Sequence, residues 1–136
     1  MRLERLAAAA MLVIAAPLVG FGLFLAIRFP ETAPGLPMAG IGLVYGVAAA
    51  GLWRRRPWGF VIAGLVGVGG TLLTVLLLLF VGASLAYYDW DPDLHVLGPG
   101  ITTYPSLAIL GAILLAHIVV VVSVFRRAFD SSGRVV

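Results

Sequence analysis

His117, Tyr45, Thr71 and Thr74 are polar side chains set inside long apolar runs, while Asp89, Asp91, Asp93 and His95 alternate along one short polar stretch, YYDWDPDLHVLGPG. The first group has the chemistry of hydrogen bonding and, through imidazole, of proton exchange or metal ligation. An ionisable group at membrane depth is a functional candidate because it is costly unless partnered. Nine residues separate His117 from Arg126, and nine separate Tyr45 from Arg54. At a helical rise of 1.5 Å, each stands about 13 Å from its basic end, so the two share a depth. A proton relay needs a second titrating group there, and the interiors of the apolar runs contain no Asp, Glu, Lys or Arg. The expected state is therefore a neutral histidine bonded to Tyr45, to a threonine hydroxyl or to a backbone carbonyl. A haem held by two histidines is not expected, since His95, the other histidine, lies outside these runs.

In the second group, an extended backbone would send Asp89, Asp91, Asp93 and His95 to one face and Tyr88, Trp90, Pro92, Leu94 and Val96 to the other. The aromatic face suits a membrane interface and the acidic face suits water. Three aspartates at spacing two resemble the opening of a calcium loop, but Leu94 stands where that loop needs glycine and Gly100 where it needs a bidentate glutamate. The segment is expected to be an interfacial lip or partner-contact surface, with weak metal binding as the alternative. No cofactor is expected.

The elements that must position these groups follow from composition. Hydrophobic residues make up 62% of the 136-residue chain and charged residues 11%, against about 25% charged in a soluble domain. Spanning about 30 Å of hydrocarbon takes roughly 20 apolar residues in a helix. Four runs meet this, at about residues 6–27, 36–53, 58–86 and 105–125. They lack the alternation of barrel strands, so backbone polar groups must be satisfied within each helix. The expected fold is all-α: one domain of four transmembrane helices in an up-down-up-down bundle, with a longer connection over residues 87–104. Small residues at spacing four, Gly42, Gly46 and Ala50 on the second helix and Ala108, Ala112 and Ala116 on the fourth, are expected to seat neighbouring helices, or otherwise to face outward as a docking stripe.

Basic and aromatic residues at the ends anchor and orient the bundle. Trp53, Arg54, Arg55, Arg56 and Trp58 form one headgroup-level turn, and Arg126 and Arg127 close the fourth span. With both termini cytoplasmic, eight of the nine arginines lie inside and only Arg28 outside, which sets the expected orientation in a cell membrane. The first apolar run, of about 22 residues, exceeds the 7–15 of a signal peptide core, so it is expected to remain as a span. The arginines sit at span ends, so nucleic acid is not an expected partner; lipid, other membrane subunits or further copies of the chain are. No phosphate loop, HExxH or GxSxG motif is present, and cysteine is absent. The composite expectation is a non-enzymatic accessory or interaction subunit. The alternative is an oligomeric transporter or channel whose path runs between copies and is lined by His117, Tyr45, Thr71 and Thr74.

Overall fold

The computed structural model describes residues 3–30, 35–87 and 103–132, with side chains described as far as residue 129. Four helices account for nearly all of it: α1 (Leu3–Arg28), α2 (Gly35–Trp53), α3 (Pro57–Tyr87) and α4 (Thr103–Ser132). Each is long and apolar enough to cross a membrane, and the chain is a multi-pass membrane protein by helix length and composition. Its surface is correspondingly oily: Val13, Leu65 and Leu79 are 73%, 72% and 65% exposed, an arrangement stable only where hydrocarbon is the solvent. Pro17 lies within α1 without ending it, on an exposed side. The fourth apolar run ends at residue 125, yet α4 runs on through Arg126 and Arg127 to Ser132. No glycine or proline interrupts residues 112–132, and Arg127 gains contacts at the end of the bundle that hold this last part in place.

α1 packs on α2 and α4, and α3 packs on α2 and α4, whereas the diagonal pairs have no close backbone approach among the described residues. This is the square cross-section of an up-down bundle. Antiparallel register is fixed where backbones nearly touch. A Cβ on Gly22 would lie 2.5 Å from the amide nitrogen of Ala39, and one on Gly42 would lie 2.8 Å from that of Val19. Such proximity gains dispersion energy along the α1–α2 seam, the main source of helix association in lipid. One cluster of buried side chains, including Met11, Tyr45, Leu52, Phe60 and Val120, fills much of the bundle. A second, of Val81, Leu85 and Leu110, lies between α3 and α4 towards the α3 C-terminus.

The basic turn between α2 and α3 has a definite backbone. The Arg56 amide donates to the Gly51 carbonyl at 2.9 Å and the Arg55 amide to that of Leu52 at 3.1 Å, the paired bonds of a Schellman cap. Arg55 occupies the left-handed position with φ 55°, where glycine is usual. Pro57 follows as the first residue of α3, where its missing amide proton costs nothing.

Of the small-residue stripes, Gly42 seats a neighbour, the α1 backbone at Leu18 and Val19, while the exposed members face outward. Gly42 is buried, but Gly46 is half-buried and Ala50 exposed; on α4, Ala108 and Ala112 are exposed and Ala116 half-buried. The reason is angular. At about 100° per residue, Ala108 stands about 180° from His117, and Ala112 about 140°. Ala50 stands about 140° from Tyr45 by the same rule. Turning His117 and Tyr45 away from lipid turns these alanines into it, and alanine loses little there while an imidazole loses much.

Candidate functional site

The polar centre is assembled from three helices. Tyr45 on α2 and His117 on α4 are 8% and 3% exposed, and the Tyr45 hydroxyl lies 2.6 Å from His117 Nε2. The second ring nitrogen, Nδ1, is 2.8 Å from the Ile113 carbonyl oxygen. A carbonyl only accepts, so Nδ1 carries a proton; in the neutral ring Nε2 is the lone-pair nitrogen and receives the Tyr45 O–H. Both ring nitrogens are thereby satisfied. The rings meet edge to face, with centroids 5.7 Å apart and planes inclined at 74°. The equal depth inferred from the spacing to Arg54 and Arg126 is the depth at which they meet. Because α2 and α4 are diagonal in the bundle, this pair ties two helices whose backbones do not approach.

The third element, α3, contributes an absence of side chain. A Cβ on Gly70 would overlap Nε2 and Cδ2 of His117 and lie 2.7 Å from the Tyr45 hydroxyl oxygen. Gly70 is thus the wall against which the hydrogen bond is pressed. One turn on, the Thr74 hydroxyl donates to the Gly70 carbonyl at 2.7 Å, and Thr71 donates likewise to Gly67 at 2.7 Å. Both threonines are satisfied by their own helix. Thr74 is buried and Thr71 half-buried. His117, Tyr45 and Thr74 thus face the interior of the bundle.

Four polar residues of α4, Thr103, Ser106, His117 and Ser123, are buried. Ser106, Leu110, His117, Val120 and Ser123 recur at spacings of three, four or seven, so the inward face of α4 was readable as its polar face. Of these, Ser123 Oγ is enclosed and makes no hydrogen bond among the described residues.

At the end of the bundle bearing the basic turn, Glu4 is a hub that sequence reasoning missed. Its carboxylate accepts from Arg55 Nε at 3.1 Å and approaches Arg127 Nη1 at 3.9 Å. Arg127 also lies over the Phe60 ring, 3.8 Å from the centroid. Residues 4, 55 and 127 are remote in sequence, and only the antiparallel bundle brings them together. Arg5 lies over the Trp53 ring at 5.8 Å. Trp53, Trp58 and Arg54 are exposed at this end, as are Arg56 and Arg126. Asp89, Asp91, Asp93 and His95 lie outside the described residues. Comparison of the chain with protein-family models, with curated proteins and with solved structures found no match.

Proposed function

We propose that the protein is a non-enzymatic subunit of the cell membrane that binds another transmembrane helix, from a second copy or a different membrane protein, through the outer face of α4. The observation that carries this reading is the exposure of Ala108 and Ala112 on that face. Beside them Gly111 has nothing within 4 Å of where its Cβ would stand. Small residues let a partner backbone approach closely, which drives association where apolarity does not. The centre of the bundle supports the same reading, because its histidine, tyrosine and threonines spend their hydrogen-bonding capacity on one another and on backbone carbonyls. The acidic-aromatic segment of residues 87–104 precedes α4 in the chain, and Asp89, Asp91 and Asp93 are polar groups that such a partner could also engage. The arginine asymmetry orients that segment away from the cytoplasm, with both termini inside.

The test is a double substitution, Ala108→Leu with Ala112→Leu. Both positions are exposed, so the bundle should keep its thermal midpoint in mild detergent while the mass of the parent's stoichiometric complex falls to that of a lone chain. A parent that is itself monomeric and partner-free, or a variant that keeps its complex, contradicts the proposal.

A further inference from the structure

We propose that the groove between α1 and α2 holds an anionic phospholipid, with one acyl chain on its small-residue floor and the phosphate at its arginine mouth. The groove has a volume of about 250 Å³ and is lined by Leu12, Gly46, Ala49, Ala50, Trp53 and Arg54. It runs over about two helical turns, from Gly46 to Arg54, or about 12 Å. That is short for a packed helix and suited to part of an acyl chain. Among the described residues, nothing lies within 4 Å of where a Cβ on Gly46 would stand.

Charge decides the occupant. Arg54 lines the mouth, and Arg5 lies over the ring of Trp53, another lining residue, 5.8 Å from its centroid. Neither has a carboxylate partner among the described residues, because the nearby Glu4 is engaged by Arg55 and Arg127. Two guanidinium groups at headgroup level above an apolar slot complement a phosphodiester with its acyl chain. The cleft between α3 and α4 provides the internal comparison. It is larger, about 330 Å³, and also carries an arginine. That arginine, Arg127, already faces the Glu4 carboxylate, so among the residues lining the second cleft there is no arginine without a carboxylate nearby. The proposal concerns a different face from the α4 surface and stands independently of it.

Trp53 gives a direct readout. With Trp58→Phe and Trp90→Phe, it is the sole tryptophan of the chain's three, and vesicles of phosphatidylcholine can be doped with brominated phosphatidylglycerol or brominated phosphatidylcholine as quencher. The expected result is preferential quenching by phosphatidylglycerol, with a relative association constant higher by about fivefold for each engaged arginine. Arg5→Gln with Arg54→Gln should bring the ratio to about one, while Arg126→Gln, outside the groove, should leave it unchanged. Native mass spectrometry of the otherwise unaltered chain from mixed micelles repeats the comparison without tryptophan substitutions, and phosphatidylglycerol adducts should exceed phosphatidylcholine adducts only while Arg5 and Arg54 are present. Equal quenching by the two lipids in the parent overturns the site. So does an Arg126→Gln effect as large as that of the pair, which would mean diffuse surface charge, or a Trp53 shielded from both lipids by protein.

Discussion

Gly69 and Gly70 are adjacent glycines on one helix with opposite expected responses to the same substitution. Both gain helix propensity on becoming alanine. At Gly69 the new methyl meets nothing within 4 Å, whereas at Gly70 it collides with the imidazole of His117. Gly69→Ala should therefore raise stability slightly. Gly70→Ala should lower it by about 1–3 kcal/mol, the usual cost of overpacking, as read by unfolding in mixed detergent micelles. Removing the hydrogen bond without changing the shape is milder: Tyr45→Phe should cost about 0.6 kcal/mol, the mean for bonds between membrane helices. If Tyr45→Phe proved more damaging than Gly70→Ala, the assignment of Gly70 as the wall of the pair would be wrong. Ser123 reverses the usual direction, since Oγ is buried without a partner. Ser123→Ala should be neutral or stabilising by up to about 1–3 kcal/mol, the desolvation penalty of an unmatched hydroxyl.

Each helix is held at its ends by features of different origin, and the α2–α3 turn shows this best. Arg55 bears left-handed backbone strain, of order 1–2 kcal/mol for a residue with a Cβ, and in return its side chain reaches Glu4. That ion pair is partly exposed and contributes about 1 kcal/mol at most. Arg55→Gly should leave the thermal midpoint unchanged or raise it, whereas Arg55→Val, which keeps the strain and loses the pair, should lower it. The existence of the four helices was legible in the sequence because a run of apolar residues needs no tertiary information to be recognised as a span. The depth of His117 and Tyr45 was legible too, since arginine marks the membrane boundary on each helix. Spacing four among small residues left two orientations open, inward or outward, and on α4 the angular position of His117 already opposed Ala108. The Glu4 hub and the wall at Gly70 were not legible, because each joins residues of separate helices whose rotations only the packed bundle fixes.

At the scale of the whole molecule, the bundle has an oily girdle, a closed polar centre and one strongly basic end. The arginine count predicts that this end is cytoplasmic: single cysteines placed at Arg56 and at Asp91 should be labelled by an impermeant maleimide from opposite sides of the membrane, Asp91 from outside. The chain has no cysteine of its own, so every such label reports one chosen position. On the proposed reading, the interior of the bundle is structural and the outer face of α4 is where the protein meets a partner. Photo-cross-linking in native membranes of single variants carrying benzoylphenylalanine in place of Ala108, Ala112 or Leu79 tests it most directly, for either kind of partner, with the exposed Leu79 as a reference on α3. A discrete adduct is expected at positions 108 and 112 and none at 79; adducts absent from all three, or equally strong at 79, would contradict this reading.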